Sequence, residues 1–532
     1  MRLRFASFCF GLALGVLGAT SAEAGCLRVD RVLVSGVQAL DMSEVAAAQG
    51  LIEGQCLPFA TALDQIDAVL QAITLSYVDR GYIAARAWLP EQDLSDGQLE
   101  IRVVEGVLDR VRFDGAENAR WEARSFPGQR GAPVQLRDVE QGLDVIRSMP
   151  GFDAQMELTP GADAGASDLE IATSGRPWQF RISTTNLGSD KADEGAAAAT
   201  GQYITSVDAS VSHVLGFNET LRLNLSRSQP DHPINLFHKG PRTWGGNASL
   251  EVPTGRLTLR GTIGWSGYRT VIPGAFSAID VDGWTRSVGV GGTYLLHRDQ
   301  GSKTKVSFDL TRRENENRIA DVRIDASSRV LTSARLELEH ERRLGEGQVE
   351  LRAGVEKGLR LFGAENARAQ PDGQPDAQYL LLDAQLRYRR GFETEHGRIG
   401  FDTSLRGQWS SDRLYGTQQF NLGGSSSVRG SKEVVLSGNR GVVLRNEVSY
   451  RPAARLPQTL GVFEAYMTGD IGYIGRQQGY GVTGGTVAGA TMGLRLIGGQ
   501  LELDASYGRI LRAPSGVVRP DGVFLMTAAW RF

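Results

Sequence analysis

The residues best suited to chemistry in this chain are not those of a catalytic centre. The six histidines are scattered, no Ser-His-Asp or Cys-His grouping is visible, and no GxxxxGK[ST] phosphate loop occurs. A non-enzymatic role, with no cofactor and no metal, is therefore expected. Three residue sets could do other work. Cys9 lies in an N-terminal leader, which leaves Cys26 and Cys56 as an even pair. In an exported chain oxidation is the default, so a disulfide is predicted, and two cysteines with no nearby histidine make a poorer metal site. Arg429 is a lone cation in a Gly/Ser-rich loop, which taken alone would simply be solvated, and Asp470 stands in a glycine-rich, turn-like stretch. Lastly, Phe524, Met526, Ala528, Trp530 and Phe532 alternate onto one face, with aromatics at each end where a membrane interface would lie.

The elements that must position these residues begin with a leader. Arg2 and Arg4 precede an apolar run over 8–19 and the small-residue stretch Ser21-Ala22-Glu23-Ala24, which predicts a secretory signal peptide over 1–24. The run is too short to span a bilayer, and Glu23 argues against lipid attachment at Cys26. No later run of 18 apolar residues occurs. A hydrophobic fraction of 41%, 66 glycines and 58 basic against 61 acidic residues suit a large, turn-rich β protein and give no sign of nucleic-acid binding.

Residues 25–105 read as an α+β module: strands at 28–34, 82–89 and 98–104, and helices at 43–49 and 60–80, the longer with an apolar stripe Leu63, Ile66, Leu70, Ile73, Tyr77 and a stop at Gly81. A second, shorter copy occupies 106–175, with strands at 108–113, 152–159 and 168–173, helices at 118–124 and 136–148, and a loop over 161–167. From 176 to 532 no convincing amphipathic helix appears. Alternating segments such as Leu221-x-Leu223-x-Leu225, Leu336-x-Leu338 and Leu501-x-Leu503 set an apolar face against Arg222, Asn224, Glu337, Glu339, Arg352, Glu502 and Asp504. A soluble sandwich could alternate in the same way. The exported context, the lack of helical cover for the apolar faces and the aromatic last strand favour a transmembrane antiparallel β-barrel, and at roughly 22 residues per strand and connection it would hold about 16 strands around an aqueous lumen.

The stretch from Tyr77-Val-Asp-Arg-Gly-Tyr-Ile-Ala-Ala-Arg-Ala-Trp-Leu-Pro90 to Leu99-Glu-Ile-Arg-Val-Val-Glu-Gly106 resembles a POTRA domain of two-partner (type V) secretion transporters. The segment from Arg176-Pro-Trp178 to Asn186-Leu-Gly188 is similar to the start of that family's barrel, and the likeness is greatest to the haemolysin-activator and filamentous-haemagglutinin type. Gly423-Gly424-Ser-Ser-Ser-Val428-Arg429-Gly430 resembles the tip of a long loop, here around 421–433, that folds back into the lumen. The resemblance implies that Arg429 pairs with Asp470 of Asp470-Ile-Gly472. Ser431 departs from the usual aromatic after Arg-Gly, and Thr468 stands where an aromatic or glycine is common. Arg445 and Glu447 share one face and either add to the lumen network or, the preferred reading, form a plain charged wall.

The resemblance further implies residence in the outer membrane of a Gram-negative bacterium with the POTRA domains in the periplasm. It also implies a large secreted exoprotein as partner, of haemolysin or adhesin type with an N-terminal secretion domain, received unfolded by strand addition, exported through the barrel and in some cases activated. Outer-membrane lipid and the barrel-assembly machinery, which would read Phe524, Trp530 and Phe532, are the other implied partners. An outer-membrane insertase or a porin-like channel is the alternative; two modules fit secretion better than either. With the first module starting near Cys26, no lumen-plugging N-terminal helix is expected, and the inward loop or another element must restrict the pore.

Overall fold

The computed structural model describes residues 25–532 except 189–199, 230–239, 274–277, 367–373, 454–456, 458–459, 477–483 and 520. The signal-peptide segment lies outside the described residues. The first compact unit comprises the described residues up to 110 together with 129–136 and 159–168. Two helices, Met42–Gln49 and Phe59–Asp79, accompany a three-stranded sheet in which Gln98–Val104 lies between Arg31–Ser35, parallel to it, and Arg86–Trp88, antiparallel.

Three details differ from the sequence pattern. The strand expected over 28–34 is split at Asp30, because Asp30 and Arg31 both donate their N–H to the Gly97 carbonyl, so Cys26–Val29 leaves to pair with Gln55–Pro58. This places Arg28 opposite Cys56, and the Cys26–Cys56 disulfide ties the two-stranded ladder at a Cα–Cα distance of 5.4 Å. Closing a loop of this length, with a sequence separation of 30, contributes roughly 3 to 4 kcal/mol in the chain-entropy picture. The buried stripe of the long helix is Ala62, Ile66, Val69, Ile73 and Tyr77, whereas Leu63 is 75% exposed: the contact face is rotated by about one residue, which an i, i+3, i+4 pattern rich in Leu on both flanks does not resolve. The strand expected over 82–89 shrinks to Arg86–Trp88 because Tyr82 instead bridges Gln135. Inside this unit the Glu105 carboxylate accepts from the Gln38 and Ala39 N–H groups and from the Tyr77 hydroxyl; burial, reinforced by Glu105, pushes the Tyr77 pKa well above its ordinary value.

The second module forms a four-stranded sheet in the order Ala116–Glu117, Val107–Phe113, Ala166–Gly175, Phe152–Pro160. Its last strand begins at Ala166, so the connecting loop is shorter than the pattern suggests. Helix Ala119–Ser125 is capped by Asn118, whose side chain accepts from the Trp121 N–H, and helix Leu136–Arg147 follows.

Sixteen long strands then close into an antiparallel barrel. They are β1 (Trp178–Thr185), β2 (Tyr203–Ser212), β3 (Thr220–Gln229), β4 (Arg242–Thr254), β5 (Leu257–Pro273), β6 (Ala278–Arg298), β7 (Ser302–Ile319), β8 (Arg329–Leu344), β9 (Gly347–Leu359), β10 (Leu380–Thr394), β11 (Gly397–Trp409), β12 (Gly441–Pro452), β13 (Val462–Ile474), β14 (Gly485–Ile497), β15 (Leu501–Arg512) and β16 (Val523–Arg531). A two-residue strand, Val322–Arg323, folds back on the end of β7. Closure of β16 on β1 uses five residue pairs, from Arg181 opposite Arg531 to Thr185 opposite Thr527, against ten between β2 and β3. Leu221, Leu223, Leu225, Leu336, Leu338 and Leu386 are exposed on the outside, while the alternate positions pair across the inside: Lys305 with Glu339 at 2.8 Å, Arg352 with Glu339 at 3.1 Å, and Arg222 with Glu251.

Residues 111–128 and 137–158 belong to the same compact unit as the barrel and seat its short turns. The His213 ring after β2 lies 4.2 Å from the Trp121 ring, Asn218 donates to the Ser125 hydroxyl at 3.0 Å, and Arg124 lies 5.5 Å over Phe217. On the second helix Asp144 accepts from Arg298 at 2.5 Å and from Lys303, and Glu140 pairs with Arg298 at 3.3 Å.

Candidate functional site: a loop locked inside the barrel

The connection from β11 to β12, residues 410–440, carries a hairpin of Phe420–Gly423 and Val434–Gly438. Its apolar side is packed into the barrel: Phe420, Leu422, Val428 and Leu436 form one buried cluster with Val443, Ile474, Val487 and Ile510, contributed by β12, β13, β14 and β15. Gly423 and Gly424 turn the chain at positive φ, and the tip, Ser425 to Gly430, runs along the wall. A Cβ at Gly430 would strike the backbone of Arg509, and one at Gly489 would strike the Arg429 carbonyl, so the close approach requires glycine on both surfaces.

Arg429 is held at nearly every donor. Its Nε and Nη2 donate to the two Asp470 carboxylate oxygens at 2.7 and 2.8 Å, its backbone N–H donates to the same carboxylate at 3.0 Å, Nη1 donates to Glu447 at 2.6 Å, and Nη2 also reaches the Asn446 carbonyl at 3.2 Å. The Asp470 side chain is 0% exposed, and that of Arg429 15%. This is a bidentate, charge-assisted arrangement in a site with little water, where each partner offsets the other's desolvation.

Asp470 does not stand in a turn: it lies in the middle of β13, opposite Arg445 on β12 and Gly489 on β14. Of its glycine neighbours, Gly472 is where the loop approaches, since a Cβ there would strike Leu422, whereas Gly469 borders open space. Nor are Arg445 and Glu447 a plain charged wall. Arg445 donates to the Ser425 and Ser426 carbonyls, both at 3.1 Å, clamping the tip, and Glu447 bridges Arg429 to Arg495 at 2.6 Å on each side. Arg495 in turn reaches Glu464 at 3.1 Å and Asp504 at 2.9 Å and lies 3.6 Å over the Tyr466 ring. Ser431 occupies the position of the usual aromatic with a polar pin, its hydroxyl accepting from the Gly424 N–H at 3.1 Å and donating to the Glu433 carbonyl at 2.8 Å.

Arg495, Glu464 and Gly489 were not singled out from sequence, and Asp504 was named only as one charge of the polar face. The alternating pattern places the three charged residues on the inner face, but only the inter-strand register makes them neighbours. At the other end of the barrel wall, Phe524, Met526 and Trp530 are exposed along β16, and Phe532 closes the strand by donating its N–H to the Phe180 carbonyl, with the two rings 5.5 Å apart.

A barrel of sixteen strands with an internal loop held by an arginine, preceded by two small α+β modules, is a combination that comparison with known proteins resolves. A family model described as haemolysin secretion/activation protein ShlB/FhaC/HecB matches residues 165–496, a ShlB-type POTRA model matches 27–106, and a further POTRA model matches 107–160. The chain belongs to the ShlB/FhaC/HecB family. Among its relatives, the outer membrane transporter CdiB of Escherichia coli O6:K15:H31 (strain 536 / UPEC) is 32% identical over 520 residues, spanning 96% of this chain and 82% of the relative. The hemolysin transporter protein ShlB of Serratia marcescens is 27% identical over 500 residues, spanning 92% and 83%. The solved structure of CdiB from Escherichia coli superposes with a TM-score of 0.85 at 30% identity over 97% of this chain and 93% of that one. As in the rest of this transporter family, the barrel spans the outer membrane and the POTRA modules are periplasmic. The turns seated on Trp121, Ser125 and Asp144 are therefore the periplasmic ends of the strands, and the opposite ends face the exterior.

Proposed function

We propose that this chain exports a large partner exoprotein across the outer membrane, receiving it unfolded at the POTRA modules and passing it through a lumen regulated by the Arg429 loop. The carrying observation is the loop itself, anchored inside a sixteen-stranded barrel by the Arg429–Asp470–Glu447 cluster in a chain of a family of secretion proteins. The first POTRA sheet supports strand addition: it ends on Arg31–Ser35 and Arg86–Trp88, with Leu33 and Trp88 more than two-fifths exposed, which suits an extended segment bound through main-chain hydrogen bonds. The partner's N-terminal secretion domain would be the part received. The exposed Phe524, Trp530 and Phe532 support a lipid-facing last strand that assembly machinery reads. The transport reaction requires no catalytic group or cofactor, since folding of the emerging chain outside makes passage directional.

Cells carrying the intact chain and its exoprotein should release the exoprotein into the medium, and deletion of residues 26–173 or Arg429→Ala should reduce release strongly while the barrel keeps its heat-modifiable mobility. Release at the intact level by the Arg429→Ala protein would remove the loop from the mechanism. A partner left in the periplasm by the intact chain, with small solutes crossing freely, would turn the reading to a porin-like channel.

A further inference from the structure

At the level of the hairpin the lumen is divided unequally. The apolar side of the hairpin lies on β12 to β15, and the space left over lies against the opposite wall. There a cavity of about 420 Å³ is bounded by the inner faces of β7 to β11 and, across from them, by residues 417–421 and Ser426 of the loop. Among the described residues, none of β12 to β15 lines it. Toward the periplasm a larger cavity of about 1150 Å³ opens beside the β6–β7 and β8–β9 turns and reaches up β10 and β11 as far as Arg387 and Asp402. The smaller cavity starts on the same two strands at Asp383 and Arg406. One inward position on each strand, Gln385 and Ser404, lies between them, about 7 Å along the strand from either neighbour.

The wall that joins the two cavities is charged but satisfied within itself. Arg335 on β8 donates to both Asp383 oxygens on β10, at 2.7 and 2.8 Å, across Gly354 of β9, where a Cβ would meet both partners. Arg352 pairs with Glu350 at 2.6 Å and with Glu339 at 3.1 Å, and Arg387 donates to Asp402 at 3.0 Å. Charges already paired across strands in a wet lumen gain little from a passing side chain of either sign. Such a surface holds an extended chain weakly whatever its sequence. Leu331, Tyr379 and Leu381 at the outer end of the smaller cavity are different in kind: they are apolar, and Leu414 and Tyr415 of the loop cover them, themselves 1% and 5% exposed. The Tyr415 hydroxyl donates to Glu365 at 3.0 Å, and Arg329 lies 4.2 Å over its ring. This stopper rests on two side chains, whereas the hairpin rests on four apolar side chains and the Arg429 cluster, so the stopper parts at lower cost.

We propose, resting on the exporter reading above, that the passing polypeptide runs in extended form along the inner face of β8 to β11, past a hairpin that stays locked on β12 to β15, and leaves by displacing Leu414 and Tyr415. The test uses cells carrying the full chain and its exoprotein, the latter stalled in transit by a disulfide-stabilised domain fused to its C-terminus and carrying single cysteines along its middle. On mild oxidation Gln385→Cys or Ser404→Cys should form a disulfide with the stalled chain. Thr468→Cys or Thr491→Cys, opposite each other on β13 and β14 and buried on the hairpin's wall, should not. The last three substitutions are near-isosteric, and heat-modifiable mobility verifies that each barrel is folded. Bonding at 468 or 491 as strong as at 385 and 404 would show that the hairpin leaves its wall and would overturn the proposal while the exporter reading stands. So would release of the unstalled exoprotein by cells in which neither 385 nor 404 bonds to the stalled one. Failure of the intact chain to release any exoprotein would remove the exporter reading, and this route with it. Leu414→Ser/Tyr415→Ser should speed the entry of small solutes while the hairpin still resists protease; unchanged entry would overturn the stopper.

Discussion

At the scale of single residues the loop anchor is a charge balance with unequal partners. Removing Arg429 strands the wholly buried Asp470 carboxylate, while Glu447 keeps Arg495. Breaking a buried pair of this kind typically costs about 3 to 5 kcal/mol, most of it the penalty on the partner left behind. The Arg429→Ala protein should therefore expose the 410–440 segment to protease and lower its thermal midpoint, and Arg429→Ala/Asp470→Ala should recover part of that loss because no uncompensated carboxylate remains. A double variant less stable than the single one would show that Asp470 is satisfied without the arginine. The sequence made Arg429 and Asp470 legible because they sit in short recognisable motifs. It left Arg495 illegible, because nothing local distinguishes that arginine from any other lumen-facing one until β12, β13, β14 and β15 are set side by side.

At the scale of elements, the second module rests on barrel turns through contacts that titrate in separate windows. Burial beside Trp121 lowers the His213 pKa, and Glu219 only partly opposes it. The folded state therefore favours the neutral ring: its contribution is complete above the ordinary histidine range near 6.5 and is lost as pH falls below it. At Asp144 burial acts to raise the pKa, but hydrogen bonds from Lys303 and Arg298 outweigh it and hold the carboxyl below its ordinary range, so that contact persists until the pH falls below about 4. Protection factors of the amides in Ala119–Ser125, corrected for intrinsic exchange, should fall between pH 7 and 5, while those of Leu136–Arg147 hold; His213→Gln should flatten the first change. Simultaneous loosening of both helices would contradict separate control. These helices were visible in sequence through their spacing, yet their docking was not, since the turn holding His213 shows no pattern of its own. The break at Asp30 was hidden likewise: a carbonyl from residue 97 makes it, not a breaker residue in the strand.

At the scale of the whole molecule, periodicity makes the two tandem modules and the long run of alternating strands legible, and it is the exported context, the lack of helical cover and the aromatic last strand that turn the alternation into a barrel and not a sandwich. What periodicity does not give is the occupancy of the lumen. The apolar side of the hairpin packs on β12 through β15 and Arg406 of β11 lies 5.0 Å over Phe420, so among the described residues its hold on the pore depends on one part of the wall. Excising 424–430 should raise single-channel conductance in planar bilayers and shorten closed periods, with barrel insertion unchanged; an unaltered conductance would place the restriction elsewhere.

The closure of β16 on β1 has a consequence in time. Five residue pairs hold that joint, and at its periplasmic end Arg181 faces Arg531 with Glu502 accepting from both, at 3.3 and 2.7 Å. Each additional pair that must part multiplies the waiting time for a rupture, so among sixteen joints this one has a short lifetime under heat or pull. Glu502 is the carboxylate that both like charges share, with Asp208 reaching Arg181 at 3.6 Å, and together they set how often the two are allowed to meet again; the age of a closed ring is counted there.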